Sequence, residues 1–226
     1  MNEYIQHRKR TDVPTKNIAT IIGKQPGDNI WILIEGTFIN EVGELLKPED
    51  TNYIWLSSIY SHSTIAALHS RCEVATPLTP MALEPLILKL FPLLEHNAFS
   101  AILMLDAGAM SWHYLTILEN NKNCPVAVAY GPSGTGKTTG LFAALSIIGA
   151  HEPNFYSRGT KESYISILSK QTVPIGLDDP QSSKNVSELL IDLFGGAMSK
   201  GITRGVQQPI GTVIASANFT PTDSAR

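Results

Sequence analysis

The sequence predicts a mixed α/β protein, built as a three-layer sandwich around a mostly parallel central sheet and preceded by a small β-plus-helical region. Three observations predict this class. An apolar run at 126–130 leads through a glycine-rich turn into a helical pattern. Two further apolar runs, at 173–177 and 211–217, each end in polar side chains. Apolar strands that alternate with amphipathic helices are typical of a parallel sheet covered on both faces.

The composition indicates a protein with a substantial core. The chain has 226 residues, of which 43% are hydrophobic and 16% are charged, enough for one large or two small domains. Because the formal net charge is −3, any contact with nucleic acid must be confined to a local basic segment. The two cysteines, Cys72 and Cys124, are far apart and indicate no disulfide framework. We therefore expect an intracellular protein, cytoplasmic or nuclear.

The lengths of the apolar runs indicate whether the chain could cross a membrane. No uninterrupted apolar run reaches the roughly 18 residues that a membrane-spanning helix needs. The stretch 98–110 comes nearest, and Asp106 interrupts it. We therefore expect no contact with a membrane.

The chain divides into two regions in this interpretation. Residues 1–80 form an accessory region that begins with a flexible arm, is mostly β and carries no motif of its own. Its strands are expected at 30–34, 37–39, 44–46 and 53–56. Residues 81–226 combine a helical lead-in with the parallel sheet.

Apolar residues at helical spacing predict two helices ahead of the glycine-rich turn. The first spans 81–94 and contains Pro92, which should kink or end it. The second spans 98–119, and the aromatic and histidine residues at 112–114 interrupt its pattern.

Two more helices are predicted after the glycine-rich turn and a short strand at 154–156. One spans 161–169, and Thr160 is a favourable N-cap for it. The other spans 185–194, with Ser182 or Ser183 as its cap.

The glycine-rich turn carries the strongest chemical signal. It matches the pattern G-x-x-x-x-G-K-[ST] between a strand and a helix, the context in which that pattern binds phosphate. Glycines let the backbone approach a ligand, and successive N–H groups at a helix N-terminus favour an anion. Lys137 would add a charge for the β- and γ-phosphates of a nucleotide, and Thr138 a hydroxyl for Mg²⁺. The predicted nucleotide-binding residues are Gly131, Pro132, Ser133, Gly134, Thr135, Gly136, Lys137, Thr138 and Thr139.

The strand predicted at 173–177 ends in Asp178 and Asp179. A nucleotide-bound Mg²⁺ must be held from the side opposite the loop, and an attacking water must be oriented. We assign Asp178, together with Thr138, to Mg²⁺, and Asp179 to the water. Pro174 argues against a strand, because proline cannot donate to a central ladder, so a polar turn is the alternative.

The strand predicted at 211–217 ends in Asn218. Beside the strand at 126–130, it would bring Asn218 to the carboxyl edge of the sheet, where ligands bind in open α/β folds. Asn218 could then bond the attacking water or the γ-phosphate, which would place it in the catalytic group with Lys137, Asp178 and Asp179. A simple turn at the end of the strand is the alternative.

A short basic segment rich in glycine spans 198–205. A solvated hairpin is one interpretation. The other is a loop that contacts nucleic-acid phosphates, in which Lys200 and Arg204 would neutralise charge.

The order of these motifs resembles the AAA+ class of P-loop ATPases, and most of all its superfamily-3 helicase-like branch, which includes the ATPase domains of mobile-element and phage replication proteins. The resemblance covers residues 98–221. It implies ATP and Mg²⁺ as cofactors and a ring-forming homo-oligomer with an arginine finger supplied in trans. The residues that match its Walker A, Walker B and sensor 1 motifs are, in that order, Lys137 with Thr138, Asp178 with Asp179, and Asn218.

The sequence departs from that family in two places. Asp179 stands where the second acid is usually glutamate, one methylene longer, so hydrolysis would be slow or differently arranged. The chain also ends soon after Asn218, where the family continues into further strands and a lid, so we expect a fragment or a partial product. A missing arginine finger costs on the order of 10³–10⁵ in hydrolysis rate, and Arg204 is the nearby candidate to replace it.

The sequence therefore predicts Mg²⁺-dependent ATP binding and hydrolysis that drive helicase or translocase activity on DNA or RNA. One alternative is a nucleotide-binding assembly module with little turnover. Another is a small-molecule kinase, which would use the same loop but would add an arginine-rich lid; the sequence has no such arginine cluster.

Overall fold

The protein is described by a computed structural model over residues 15–33, 36–55, 83–149, 155–196, 199–201 and 205–219. Six short strands lie in the N-terminal part. Two of them, β1 and β6, form a parallel pair, and β2 to β5 form an antiparallel sheet in sequential order. The strands are β1 (Asn17–Ile18), β2 (Gly23–Lys24), β3 (Trp31–Leu33), β4 (Thr37–Ile39), β5 (Leu45–Leu46) and β6 (Tyr53–Ile54). Strands β3 to β6 lie within the segments 30–34, 37–39, 44–46 and 53–56 where strands were predicted.

Beyond residue 82, the described part of the chain continues with three helices: α1 (Leu83–Leu94), α2 (Ala98–Trp112) and α3 (Tyr114–Asn121). Pro92 lies inside the last turn of α1, and a 3₁₀ turn then leads into α2. The helix predicted over 98–119 is divided into two, and the break at His113 lies within the interruption predicted at 112–114. Tyr114 is fully buried and its hydroxyl donates to the carbonyl of Leu193. This tertiary contact holds the start of α3 against the end of a later helix, Ser183–Gly195.

The remaining elements form the centre of the molecule. Helices α4 (Lys137–Ile147), α5 (Lys161–Leu168) and α6 (Ser183–Gly195) alternate with strands, as predicted. The Thr160 and Ser182 hydroxyls cap α5 and α6 by accepting backbone N–H bonds. The strands are β7 (Ala127–Tyr130), β8 (Phe155–Tyr156), β9 (Ile175–Asp178), β10 (Ser199–Gly201), β11 (Gly205–Gln207) and β12 (Val213–Ala217).

Four of these strands form one parallel sheet in the order β7-β12-β9-β8. The predicted mixed α/β class with a parallel sheet is therefore confirmed. Pro174 lies just before β9, so the ladder needs no N–H from it, and the N–H of Ile175 bonds the carbonyl of Thr212. Because all four strands run the same way, their carboxyl ends meet at one edge.

Helices cover both faces of this sheet. On one face, Leu141, Ala144 and Leu145 of α4 pack with Met104 of α2 and with Ile214. The other face packs against apolar residues of α5 and α6. This cluster comprises Tyr164, Ile165, Ile167, Leu168, Ile175, Leu177, Leu189, Leu193, Val213 and Ala215. Alternate residues of β12 thus enter opposite layers, as a strand buried on both faces requires.

The N-terminal sheet packs directly on this centre. Ile22 forms a parallel β-bridge with Gln171, and the N–H of Lys24 bonds the Thr172 hydroxyl at 2.7 Å. A Cβ on Gly23, which has a φ of +101°, would lie 2.1 Å from the Thr172 hydroxyl. The close approach therefore depends on glycine at this position.

One helical stretch, Ile87–Trp112, is long and apolar enough by length and composition to cross a membrane, with a mean hydropathy of 1.3. The expectation of no membrane contact was drawn from the lack of an uninterrupted apolar run, and it stays a prediction. One such stretch is weak evidence for a membrane span; a core helix passes the same test when it is mostly buried, whereas only 12% of the 18-residue window that passes it here is buried. The 3₁₀ turn Glu95–Asn97 breaks the stretch, and Met104 and Gly108 of α2 contact α4.

Candidate phosphate-binding site

The glycine-rich loop lies between β7 and α4, where the strand–turn–helix pattern predicts it. Gly134 and Gly136 both have a φ of +81°, a conformation that favours glycine. Gly136 is the N-cap of α4 and offers no side chain to bond the first N–H groups of the helix. The start of α4 therefore keeps backbone donors and the positive end of the helix dipole for an anion.

Two side chains of the loop turn back to its own backbone. The Lys137 ammonium donates to the carbonyl of Pro132 at 2.7 Å, and the Thr135 hydroxyl donates to the same carbonyl at 2.9 Å. To bind a phosphate, the Lys137 ammonium would have to exchange its hydrogen bond to this neutral carbonyl for one to the phosphate. A charged acceptor makes the stronger bond with an ammonium, so the exchange favours the phosphate.

The loop and the first aspartate meet across the sheet edge. The Thr138 hydroxyl donates to Oδ1 of Asp178 at 2.8 Å, although the two residues are 40 positions apart. Asp178 is the last residue of β9 and is half-buried, whereas Thr138 lies in the first turn of α4. The sequence prediction that these two residues lie together is supported by this contact.

Ser216, which the sequence interpretation missed, joins the same carboxylate. Its hydroxyl donates to Oδ1 of Asp178 at 2.6 Å, and its side chain is buried. Ser216 and Asp178 are register partners in the parallel pairing of β12 with β9. A signal was present in the sequence: a serine inside an apolar strand, two residues before Asn218, needs a polar partner when it is buried.

The second aspartate bonds the end of β12. Asn218 donates from Nδ2 to Oδ2 of Asp179 at 2.7 Å. The backbone of Asp179 has a φ of +43°, unusual for a residue other than glycine. Its N–H bonds both the carbonyl of Ser216 at 3.0 Å and the hydroxyl of Ser216 at 3.2 Å. Asn218 thus lies beside the acid pair, as an edge position predicts.

These side chains surround one open cavity of about 440 Å³ at the carboxyl edge of the sheet. Of the residues predicted to bind a nucleotide, Gly131, Pro132 and Thr135 do not line it. The lining residues are Ser133, Gly134, Gly136, Lys137, Thr138, Thr139, Asp178, Asp179, Ser216 and Asn218. The cavity thus joins the glycine-rich loop to both acids.

The chemistry of this lining fits a nucleotide and its magnesium ion. The Thr138 hydroxyl and the Asp178 carboxylate are oxygen ligands, the type that Mg²⁺ takes in phosphate sites. Lys137 and the N-terminus of α4 supply the positive potential that a polyphosphate requires. The half-buried and exposed positions of these groups leave the site open to solvent for an entering ligand.

The predicted basic hairpin is confirmed in outline. Strands β10 and β11 pair antiparallel, with Lys200 opposite Val206. Residues 202–204, which include Arg204, lie outside the described residues. Neither the contact of Lys200 and Arg204 with nucleic acid nor the role of Arg204 as a substitute for an arginine finger is tested by these strands.

The chain is similar in fold to a solved structure described as "SCCmec type IV Cch - active helicase". The two share 17% sequence identity with a TM-score of 0.55, and the match covers 97% of this chain and 40% of that chain. At this identity the likeness shows the fold alone. By the same match, this chain spans 40% of the length of that structure. No protein-family model matches the chain, and no curated protein matches it by sequence.

Proposed function

We propose that the protein binds ATP with Mg²⁺ at the carboxyl edge of the parallel sheet and hydrolyses it. The observation that carries the proposal is the 2.8 Å bond between Thr138 and Asp178, because it joins the glycine-rich loop to the acidic strand end. A phosphate loop needs an acid opposite it for the metal, and this chain supplies one in direct contact with the loop hydroxyl.

Each side chain has a role in this proposal. Lys137 and the first N–H groups of α4 bind the β- and γ-phosphates, and Thr138 and Asp178 hold the metal ion. Bound Mg²⁺ would neutralise charge on the transferred phosphoryl group. Asp179 orients the attacking water and accepts its proton, so that the water oxygen bonds phosphorus as the bond to ADP breaks. Asn218 holds the Asp179 carboxylate through Nδ2.

The helicase-like fold of the structural neighbour supports a further step in the proposal. ATP turnover would drive movement along DNA or RNA, in a homo-oligomeric ring in which each protomer completes the site of the next. The hairpin β10–β11, with Lys200 and Arg204, is the proposed contact for the nucleic-acid backbone. These partners belong to the proposal and rest on likeness of fold together with the basic hairpin.

The direct test is phosphate release from ATP by this chain, with Mg²⁺ and with excess EDTA, each with and without single-stranded DNA or RNA. We expect release to require Mg²⁺ and to rise with a single strand. ATP binding that ignores Mg²⁺, together with no release under any condition, would contradict the proposed ATPase. Phosphate release that changes with neither DNA nor RNA would support ATP hydrolysis and contradict the helicase step.

One feature favours an alternative, a nucleotide-binding assembly module with little turnover. Asp179 is held by Asn218 and carries the shorter of the two acidic side chains. Tight Mg²⁺-dependent ATP binding with no phosphate release, alone or with nucleic acid, would decide for this alternative.

A further inference from the structure

Ser216 occupies a position between the two acids that neither Thr138 nor Asn218 can fill. Its hydroxyl donates to Asp178 at 2.6 Å and accepts from the N–H of Asp179 at 3.2 Å. Only 1% of the residue is exposed. One hydroxyl therefore fixes the side chain of the first acid and the backbone of the second, across adjacent strands.

The bonds to Asp178 fall on one of its two carboxylate oxygens. Ser216 and Thr138 both donate to Oδ1. Among the described residues, no side chain or backbone group donates to Oδ2. A carboxylate held through one oxygen presents its other oxygen in a fixed direction, which is how supporting hydrogen bonds orient a metal ligand.

The hydroxyl of Thr212, four residues before Ser216, is buried in the same strand region but, within the described part of the chain, lacks the hydrogen bonds that Ser216 makes. Thr212 immediately precedes β12 and is fully buried, and its Oγ1 has no hydrogen-bond partner among the described residues. Thr212 and Ser216 are four positions apart, so both project from the same side of an extended chain. Burial of a hydroxyl on this side of β12 is thus not sufficient for a hydrogen bond to an acid. The bonds of Ser216 are specific to its position beside Asp178.

We propose that Ser216 is a positioning residue for the metal site. It orients the Asp178 carboxylate toward Mg²⁺ and holds Asp179 in its left-handed backbone conformation, so that both acids face the nucleotide. This inference rests on the proposed function, because it concerns the same site. It adds a residue that acts through the two acids and whose loss should weaken metal binding.

The test measures nucleotide affinity as a function of Mg²⁺, with a fluorescent ATP analogue and with EDTA as the metal-free condition. Ser216→Ala should lower the Mg²⁺-dependent part of the affinity by about tenfold, the lower end of what supporting residues contribute to metal sites. Affinity without metal should stay within about twofold, because Lys137 and the loop are untouched. Ser216→Thr, which keeps the hydroxyl, should restore most of the metal dependence.

Thr212→Val is the matched control, since it removes a buried hydroxyl without a partner, and it should leave the metal dependence unchanged. If Ser216→Ala fails to fold by thermal melting, Ser216→Cys preserves the volume and weakens the bond, and it must show the same selective loss. Equal losses with and without Mg²⁺ in the variant that folds, or no loss in either, would overturn the positioning role. Wild-type protein that binds no nucleotide in Mg²⁺ would instead overturn the proposed function and this inference with it.

Discussion

The amide of Asn218 and the carboxylate of Asp179 lie 2.7 Å apart, so the ends of β12 and β9 are joined by a side-chain hydrogen bond. The amide donates from Nδ2 and the carboxylate accepts through Oδ2. A substitution can therefore keep the hydrogen-bonded position of the side chain at 179 while it removes the negative charge. The effects of position and charge on ATP hydrolysis can then be measured separately.

Asp179→Asn should keep the position and remove the charge. Asparagine tolerates the left-handed backbone at this site, and its side-chain oxygen can still accept from Asn218. We expect nucleotide affinity to change by less than about threefold and ATP hydrolysis to fall by roughly 10²–10⁴, the usual contribution of a general base. Equilibrium binding and single-turnover phosphate release measure the two quantities.

The matched control is Asp50→Asn, which neutralises an exposed aspartate in the 3₁₀ turn Pro48–Asp50 of the N-terminal region. It should change neither quantity. Full hydrolysis by Asp179→Asn would exclude Asp179 as the base.

Lys137→Ala should weaken nucleotide binding by about two orders of magnitude, because ammonium bonds to phosphate are charge-assisted and worth about 1.5–3 kcal/mol each. Among the residues that the structure describes, this lysine bonds the Pro132 carbonyl and no other group, so its removal should cost little stability. Isothermal titration with a non-hydrolysable ATP analogue gives the affinity. Lys47→Ala, at an exposed lysine of the N-terminal region, is the control. Unchanged affinity in Lys137→Ala would refute the site.

Gly108→Ala should destabilise the protein by about 1–3 kcal/mol, the range for overpacked cores. A Cβ at Gly108 would lie 2.2 Å from the carbonyl oxygen of Ala144, where α2 crosses α4. This clash outweighs the roughly 1 kcal/mol that alanine gains in helix propensity. Urea denaturation measures the difference in unfolding free energy.

The control for that substitution is Gly195→Ala in α6, where a Cβ meets nothing within 4 Å. It should be neutral or stabilising by up to about 1 kcal/mol. If both alanine variants gained stability, the close crossing of α2 and α4 would be wrong.

His113 should make stability depend on pH. Burial, and to a smaller extent the positive charge of Lys24, lower the pKa of this ring, whose edge-to-face partner is Trp31. A lowered pKa favours the neutral ring in the folded state, so this contribution to stability is complete above about pH 6.5, the ordinary histidine pKa. It decreases as the pH falls from there through the lowered pKa. The unfolding free energy from pH 8 to pH 5, compared with His113→Gln, measures it.

An NMR titration of the His113 ring supplies the independent check. A pKa at or above the ordinary value would contradict the packing of this ring against the N-terminal sheet. The same pH dependence in wild type and His113→Gln would assign the effect to other groups.

Local patterns were sufficient for most of the central fold. The apolar runs ending at Tyr130, Asp178 and Ala217 each became a parallel strand, because continuous apolar residues suit a strand buried on both faces. The caps at Thr160 and Ser182 were also predictable from local sequence, because a helix cap depends on a few adjacent residues.

Long-range contacts determine what local patterns could not predict. The pattern marks an interruption at 112–114, but the bond of the buried Tyr114 ring to Leu193, far along the chain, could not be predicted from it. Docking of the N-terminal sheet depends on Ile22 meeting Gln171. The sequence marks Ser216 as a polar residue inside an apolar strand, but its partner Asp178 could be identified only once β12 was known to pair in register with β9.

The strand order also bears on synthesis of the chain by the ribosome. Strand β12 fills the place between β7 and β9, yet it is the last of the three to be made. Until it leaves the exit tunnel, the nascent protein holds the glycine-rich loop and the acidic end of β9 without the strand that lies between them. Strands β7 and β9 then carry open backbone edges that a chaperone, or a second nascent chain, could occupy. The proposed capacity to bind a nucleotide should therefore arise late and abruptly during translation, when 213–218 emerge.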